Sequence, residues 1–162
     1  GFKMVFQGRP FYGADIRQLG SMAAAGDWDG GTGTVTTIDL IDRYVDRLVQ
    51  DFGGGPCRMA WDCGNGAAGE VVERLVKRLP GEHHLLFTTI DGHFPNHHPD
   101  PTVEANLADL RALVAAKNLD FGVAFDGDGD RIGAIDGTGR VIWGDQLLMI
   151  YAEDVLKDRP GA

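Results

Sequence analysis

Residues 121–135 read FGVAFDGDGDRIGAI, and this stretch decides the expected fold. Hydrophobic residues lead into and out of an acidic run, as expected for a buried strand that ends in a loop. Open α/β sheets place ligands beyond the carboxyl ends of such strands. Alternate residues of an extended chain face one side, and intervening glycines let the backbone curl. Asp126, Asp128 and Asp130 can therefore aim their carboxylates at one point.

Three carboxylates brought together need a cation. At an effective dielectric constant of about 20, two unit charges about 4 Å apart repel by about 4 kcal/mol. Three such pairs approach the whole stability of a domain, about 5–15 kcal/mol. A divalent ion offsets this repulsion, and ligands that are all oxygen favour a hard ion such as Mg²⁺. The sequence therefore predicts a Mg²⁺ site at Asp126, Asp128 and Asp130.

Arg131 directly follows the acidic run. A guanidinium beside a bound cation is unfavourable unless an anion lies between them, and its planar fork suits phosphate oxygens. The combination predicts a phosphoryl group between the metal and Arg131, an arrangement that stabilises charge during phosphoryl transfer. The alternative is a purely structural pair between Arg131 and an aspartate.

Residues 126–131 allow three other interpretations. A solvated acidic turn is common for Asp-Gly stretches, but the hydrophobic flanks disfavour it. A helix–loop–helix calcium site needs Gly at its sixth position and Glu at its twelfth, where this chain has Arg131 and Gly137. An aspartyl nucleophile of the phosphatase type would also follow a strand. It stays open, although the hydroxyl residue expected after the second acid is missing.

The composition is that of a globular protein, with 43% hydrophobic and 24% charged residues and no long apolar run. It excludes a membrane span and argues against wholesale disorder. The 162 residues suffice for one full domain and some extra chain. The net charge is −9 and no cluster of Lys and Arg forms a stripe, so nucleic acid is not an expected partner.

The cysteines and the first residues bear on location. No basic segment followed by an apolar run opens the chain, so no secretory signal is visible. The chain starts at Gly1, which suggests a piece of a longer protein. Cys57 and Cys63 lie either side of a strand-like run, which does not suit a disulfide, and two cysteines alone do not form a zinc site. Reduced thiols and a cytoplasmic location are expected.

Hydrophobic periodicity divides the chain into elements. The first part predicts a strand at residues 2–6, a helix at 12–25, a loop at 26–33 and a helix at 36–52. Beyond residue 57, the predicted strands are 58–62, 85–90, 120–125, 132–136 and 140–143, and the predicted helices are 67–79, 101–117 and 145–157. Two strand–helix–strand crossovers followed by a hairpin predict a three-layer α/β/α domain with a mixed, mostly parallel sheet.

The predicted boundaries follow the change in pattern. Residues 1–33 are interpreted as a strand–helix remnant of another domain, and residues 34–56 as a connecting helix and linker that ends in Gly-Gly-Gly-Pro. Residues 57–162 form the α/β domain.

Gly64-Asn-Gly-Ala-Ala-Gly69 matches the dinucleotide fingerprint G-x-G-x-x-G after a predicted strand, and Asp91 lies where a ribose-binding acid is expected. A Rossmann domain of an NAD-dependent dehydrogenase is therefore an alternative. It leaves the acidic run unexplained, and Asp62 puts a carboxylate near the pyrophosphate position. The other interpretation is that these glycines only form a tight, closely packed turn.

His93, His97 and His98 could suggest zinc, but adjacent histidines point apart and no cysteine is near in sequence. A shaped loop that packs against a neighbouring domain is the favoured interpretation. Lys3, beside a short strand, is by default a solvated surface lysine.

Several segments resemble the α-D-phosphohexomutase superfamily. FDGDGDR at 125–131 resembles its metal loop. DCGNG at 62–66 and FPNHHPDP at 94–101 resemble the bacterial phosphomannomutase/phosphoglucomutase branch. GFKMV at 1–5 resembles the segment that follows the phosphoserine loop of that family, so the resemblance extends over the whole chain.

The resemblance implies a four-domain enzyme that interconverts hexose 1- and 6-phosphates through an active-site phosphoserine and a bisphosphate intermediate. It implies that Asp126, Asp128 and Asp130 bind Mg²⁺ and that Arg131 steadies the phosphate. Lys3 matches a lysine near the nucleophile, where it would act as acid or base or neutralise charge. Residues 1–33 would then end the phosphoserine domain.

This chain also departs from the family pattern. The Ser-His-Asn-Pro nucleophile loop, the sugar-recognition loop and the distal phosphate-binding loop are absent. Without the nucleophile and the distal phosphate-binding loop, the isolated chain is expected to fold but not to turn substrate over. The expected partners are a phosphosugar and the remaining domains of the parent chain. A non-catalytic, metal-stabilised binding module is a further alternative.

Overall fold

The structure is a computed structural model that describes residues 4–162. Lys3 and the start of the strand predicted at residues 2–6 lie outside the described residues. The chain divides into two compact units, Gly1–Ile38 and Asp39–Ala162. No helix within the described part of the chain is both long and apolar enough to cross a membrane.

The first unit contains a hairpin and a helix. Strand β1 (Met4–Phe6) pairs antiparallel with β2 (Arg9–Phe11) across a two-residue turn in which Gln7 and Gly8 have positive φ. Helix α1 (Ala14–Ala25) follows and ends at a left-handed glycine. The sequence did not predict β2, because it has three residues and contains a proline, which strands tolerate only at edges.

Helix α2 (Ile41–Gln50) opens the second unit and is shorter than the helix predicted at 36–52. The side chain of Asp39 accepts a hydrogen bond from the backbone N–H of Ile41, which fixes the start of the helix there. Val45 on this helix is fully buried. Arg74 and Arg78 form ion pairs with Asp42 and Asp46 of α2, so α2 packs along the next helix.

Five strands form one mixed sheet in the order β4-β3-β5-β6-β7. They are β3 (Cys57–Asp62), β4 (Gly81–Leu86), β5 (Phe121–Phe125), β6 (Ile132–Asp136) and β7 (Val141–Ile142). Strand β3 is parallel to β4 and β5, whereas β5–β6 and β6–β7 are antiparallel. The predicted mixed sheet with its closing hairpin is confirmed.

Helices cover both faces of this sheet. They are α3 (Ala68–Leu75), α4 (Ala108–Lys117), preceded by a 3-10 turn at Glu104–Leu107, and α5 (Gly144–Asp158). Alternate residues of β3 enter opposite cores: Ala60 packs with Leu110 and Val114 of α4, and Met59 and Trp61 pack with Val72 of α3. The three-layer α/β/α prediction is therefore confirmed.

Several element boundaries differ from the predictions, among them the end of α3, which lies at Leu75 rather than at residue 79. Strand β4 spans Gly81–Leu86 rather than residues 85–90. The prediction missed its first half because that half includes His83 and His84 and lacks an apolar pattern. A Cβ on Gly81 would lie 2.1 Å from the carbonyl oxygen of Cys57, so glycine allows pairing to begin there. The helix predicted at 101–117 instead begins as a 3-10 turn, and its α-helical part starts at Ala108.

Candidate metal centre

Three loops meet at the carboxyl edge of the sheet. The Asp62 loop (residues 62–66) follows β3, the Pro/His loop (residues 91–101) comes after β4, and the acidic loop (residues 126–131) follows β5. Because these three strands are parallel neighbours, their carboxyl ends lie side by side. This edge is where an open α/β sheet places its ligands.

Asp126, Asp128 and Asp130 converge in the acidic loop. One carboxylate oxygen from each lies within 4.8 Å of the others, and within residues 4–162 no other group of three His, Cys, Asp or Glu is so placed. Oxygens bound to Mg²⁺ at about 2.1 Å lie at most about 4.2 Å apart, so small side-chain movements suffice for ligation. Asp126 is buried, whereas Asp128 and Asp130 face solvent. The donor set therefore fits a hard divalent cation.

Asp126 also forms an ion pair with Arg131. The backbone N–H of Arg131 donates to Asp126 Oδ1 at 3.0 Å, and Nε donates to Oδ2 at 2.7 Å. Burial alone would raise the pKa of Asp126, but the hydrogen bonds and charge of Arg131 outweigh it and hold the pKa below its ordinary value. Asp126 in turn raises the pKa of Arg131. The carboxylate is thus held ionised, as a metal ligand must be.

Arg131 also reaches the Pro/His loop. Its Nη1 donates to Asp100 Oδ1 at 3.3 Å, and its side chain is 52% exposed. Hydrogen bonds from Thr102 hold the pKa of Asp100 below its ordinary value. The structural Arg131–aspartate pair that the sequence left as an alternative is therefore present, and it leaves the outer edge of the guanidinium open to solvent.

The Asp62 loop packs directly under the acidic loop. The carbonyl of Gly127 accepts a hydrogen bond from Ala67 N at 3.0 Å, and a Cβ on Gly66 would lie 2.8 Å from that carbonyl oxygen. A Cβ on Gly69 would lie 1.9 Å from the carbonyl oxygen of Thr88. These glycines allow close backbone packing, and the helix N-terminus already meets Gly127. The dinucleotide-binding alternative is therefore not supported.

Asn65 joins the Asp62 loop to the Pro/His loop. It is buried, with a left-handed φ of 58°. Its Nδ2 donates to the carbonyl oxygen of Thr89 at 2.8 Å, and its Oδ1 accepts from Asn96 Nδ2 at 2.7 Å. Its backbone N–H donates to Phe87, and its carbonyl accepts from Asp91. The backbone N–H, the backbone carbonyl and both polar atoms of the Asn65 side chain are therefore hydrogen-bonded, and together they hold this edge of the sheet in place.

His97 and Asp62 form a buried pair at the same junction. His97 Nε2 lies 3.0 Å from Asp62 Oδ2, and His97 Nδ1 lies 3.0 Å from the carbonyl oxygen of His98. Both ring nitrogens face acceptors, so this geometry favours the doubly protonated imidazolium. Burial works against protonation, but these acceptors outweigh it and raise the pKa of His97. Burial also works against the charged form of Asp62, and for a carboxyl group this raises the pKa.

The three histidines do not gather as zinc ligands. His97 is turned to Asp62, whereas the side chain of His93 is 97% exposed and contacts Asp91. Cys63 is buried, which raises the pKa of its thiol to about 12, and the described cysteines are free. Within the described residues, the Pro/His loop packs through Phe94 and Pro99 against Gly127. Its contact with a neighbouring domain stays a prediction.

Two long-range contacts at this edge of the sheet were not predicted from the sequence. The Asp62–His97 pair spans 35 residues and the Asp100–Arg131 contact spans 31, so neither carries a local pattern. The resemblance of DCGNG and FPNHHPDP to one branch of a family was the only signal that those segments belong together. The predicted role of Lys3 lies outside the described residues.

Fold and site together define a class: an α/β/α domain with an acidic loop that fits a divalent cation at its carboxyl edge. Residues 42–139 match the sequence profile of phosphoglucomutase/phosphomannomutase, alpha/beta/alpha domain II. The chain belongs to the phosphoglucomutase/phosphomannomutase family, as its sequence motifs predicted.

Curated relatives agree with this assignment. The chain is 42% identical to a phosphomannomutase/phosphoglucomutase of Pseudomonas aeruginosa over 163 residues, which cover 100% of this chain and 35% of that protein. It is 39% identical to a phosphoglucomutase of Neisseria gonorrhoeae over 165 residues, covering 100% of this chain and 36% of that protein. The chain therefore spans about a third of the length of these relatives.

A solved structure shares the same fold. A phosphoglucomutase/phosphomannomutase family protein from Burkholderia thailandensis superposes with a TM-score of 0.89 and 44% sequence identity. The match covers 100% of this chain and 36% of that structure. The predicted α/β architecture is thus also that of an experimentally determined family member.

Proposed function

We propose that this chain is the metal-binding part of a phosphohexomutase that interconverts hexose 1- and 6-phosphates. The observation that carries the proposal is the convergence of Asp126, Asp128 and Asp130 beside Arg131 at the carboxyl edge of the sheet. The names of the similar proteins, phosphomannomutase and phosphoglucomutase, support the substrate class. The remaining domains of the parent chain would supply the nucleophile and the grip on the sugar.

In this proposal the three aspartates hold Mg²⁺, which supplies positive charge next to the transferring phosphate. Arg131 presents its exposed N–H groups to the same phosphate and shares its negative charge. Its bond to Asp126 keeps the guanidinium from moving away when no ligand is bound. The chain itself is acidic, with a net charge of −9, so this local concentration of positive charge is what would attract an anionic substrate.

Two further assignments belong to the same proposal. Lys3, which precedes the described residues, would act near the nucleophile as acid or base or neutralise charge. The proposed location is the cytoplasm, which the free thiols of Cys57 and Cys63 support.

Magnesium titration of this chain, followed by calorimetry, tests the metal site. Wild type is expected to bind one Mg²⁺, and Asp128→Asn is expected to weaken binding by about tenfold or more because ligand charge sets affinity. The matched control is Asp154→Asn, which removes the same charge from α5 at a side chain that is 85% exposed. Equal affinity in Asp128→Asn and Asp154→Asn would contradict the site.

Activity in a parent-length protein tests the reaction. Asp128→Asn is expected to lower turnover of glucose 1-phosphate by about 100-fold, since loss of one electrostatic partner has this order of effect. The fold should stay intact, because Asp128 is exposed. Near-normal mutase activity in that variant would defeat the proposed function.

A further inference from the structure

Two loops hold the guanidinium of Arg131 at two different nitrogens. Nε donates to Asp126 Oδ2 at 2.7 Å within the acidic loop, and Nη1 donates to Asp100 Oδ1 at 3.3 Å in the Pro/His loop. A contact at Nε alone would let the guanidinium plane turn, whereas a second contact fixes that plane. Nη2 has no acceptor among residues 4–162, and the side chain is 52% exposed, so one edge of the fork is available to a ligand.

Asp100 is itself fixed in place. The backbone N–H and the hydroxyl of Thr102 donate to Asp100 Oδ1 at 3.0 and 2.7 Å, and Asn106 Nδ2 donates to its carbonyl oxygen at 2.9 Å. Pro99 and Pro101 flank it, both are buried, and their rings restrict φ on either side. Asp100 is thus a rigid reference point and not a mobile surface acid.

Stability does not account for the contact between Asp100 and Arg131. Exposed ion pairs contribute little to folding, and Asp100 is bonded to Thr102 with or without Arg131. A carboxylate beside Arg131 also reduces the positive potential that would draw in a phosphate. The charge of Asp100 therefore disfavours anion binding near Arg131. Asp100 can favour anion binding only by orienting the guanidinium of Arg131.

We propose that Asp100 is a positioning residue for Arg131: it holds the guanidinium so that the Nη2 edge meets the oxygens of a bound phosphate. The identity of the anion rests on the proposed function, but the orientation of Arg131 does not. The sequence does not suggest this role, because Asp100 lies 31 residues before Arg131 in the chain.

The first test observes Arg131 directly in the metal-free protein. Nitrogen-15 NMR of the guanidinium reports the order of the Nε–H bond, and Asp100→Asn is expected to lower the Arg131 order parameter to the flexible range, below about 0.6. The control is Asp91→Asn, which removes the same charge from the same loop at a carboxylate that contacts His93. That control and the melting temperature of both variants should match wild type. An Arg131 that stays as ordered in Asp100→Asn as in wild type overturns the proposal.

The second test uses the sign of an affinity change. Inorganic phosphate is titrated into wild type, Asp100→Asn and Asp91→Asn in saturating Mg²⁺. Loss of a negative charge by itself tightens phosphate binding, whereas loss of orientation weakens it. We expect Asp100→Asn to weaken phosphate by about threefold or more, with Mg²⁺ affinity unchanged and Asp91→Asn equal to or tighter than wild type.

Each outcome separates the two proposals. Tighter phosphate binding in Asp100→Asn, with Arg131 still ordered, overturns the positioning role while leaving the metal site in place. If wild type binds neither Mg²⁺ nor phosphate but Asp100→Asn still releases Arg131, Asp100 orients the guanidinium as proposed, whereas the phosphate as its ligand and the proposed function are both overturned.

Discussion

Two Asp–Arg turns, one at each end of β6, use nearly the same hydrogen bonds. In the acidic loop, the backbone N–H of Arg131 donates to Asp126 at 3.0 Å and Nε donates at 2.7 Å. In the hairpin turn at residues 136–140, the backbone N–H and Nε of Arg140 each donate to Asp136 at 3.1 Å. An aspartate that pairs with a downstream arginine is therefore a general way to close a turn in this domain.

The two turns differ in what surrounds that pair. Asp126 has a side chain only 3% exposed, and two more acids follow it, whereas Asp136 is 28% exposed and is followed by Thr138. The hydroxyl of Thr138 donates to Asp136 and is the main reason that the pKa of Asp136 falls to about 2. The hairpin thus satisfies its aspartate internally, while the acidic loop adds two further carboxylates, those of Asp128 and Asp130. The surplus charge, and not the Asp–Arg pair, distinguishes a candidate metal site from a turn.

Exchanging the two aspartates for asparagine gives the largest expected contrast. Asp126→Asn leaves Nε–H of Arg131 facing an amide and removes a ligand, so it should cost about 1–3 kcal/mol of stability. It should also weaken Mg²⁺ binding by about tenfold or more. Asp136→Asn should destabilise the fold less and leave Mg²⁺ affinity unchanged. Urea denaturation measures the stability and calorimetry measures the Mg²⁺ affinity. Equal effects of the two variants on Mg²⁺ affinity would contradict the distinction between a metal site and a turn.

A steric clash between the Asp62 loop and the acidic loop should have the next largest effect. A Cβ on Gly66 would lie 2.8 Å from the carbonyl oxygen of Gly127, a backbone atom that cannot easily move away. Gly66→Ala should therefore cost about 1–3 kcal/mol, as overpacking does, and weaken Mg²⁺ binding as well. Gly92→Ala is the control, because a Cβ there meets nothing within 4 Å. A Gly66→Ala protein with wild-type stability would mean that the two loops are not tightly packed.

Features that depend on residues close together in the sequence were predictable, whereas contacts between distant residues were not. The acidic loop and β6 at Ile132–Asp136 emerged with their observed bounds, because glycine spacing and apolar alternation are encoded within a few residues. The start of β4 was misplaced because His83 and His84 break the apolar pattern of an edge strand. The family and the α/β class are confirmed, whereas the metal and phosphate roles of the site residues remain predictions.

The Asp62–His97 pair predicts that the stability of the fold depends on pH near neutrality. The folded-state pKa of His97 is raised above the unfolded value of about 6.5, so the pair stabilises the fold below that pH. This stability is lost as the pH rises through the folded pKa, and the raised pKa of Asp62 acts in the same direction at lower pH. Asp109 adds negative charge near both groups.

Unfolding free energies of wild type and His97→Gln, measured between about pH 5.5 and 8.5, check this sign. Wild type should be more stable at the acidic end, by about 1.5–3 kcal/mol for a hydrogen bond to a charged group, and the advantage should shrink as pH rises. His93→Gln is the control, since that side chain is 97% exposed. An advantage of wild type that grows with pH would reverse the assignment of the imidazolium.

Adding an acid to the hairpin turn is expected to have the smallest effect and tests the comparison in the opposite direction. Thr138→Asp gives the turn a second carboxylate but removes the hydroxyl that donates to Asp136 at 2.6 Å. We expect a small loss of stability at neutral pH and a rise in the pKa of Asp136 from about 2 toward its ordinary value, which a carbon-13 titration of the carboxyl group would detect.

The hairpin in Thr138→Asp should gain no Mg²⁺ site. The turn would still have two acids rather than three, and its Asp136 is committed to the backbone and Nε of Arg140. Asp136 stabilises the wild-type fold above its unfolded pKa of about 3.9 and loses this effect as the pH falls to about 2, so this acid limb should shrink in the variant. If a second Mg²⁺ bound with affinity close to that of the acidic loop, two acids and an arginine would suffice. The third aspartate and the burial of Asp126 would then not be what makes the site.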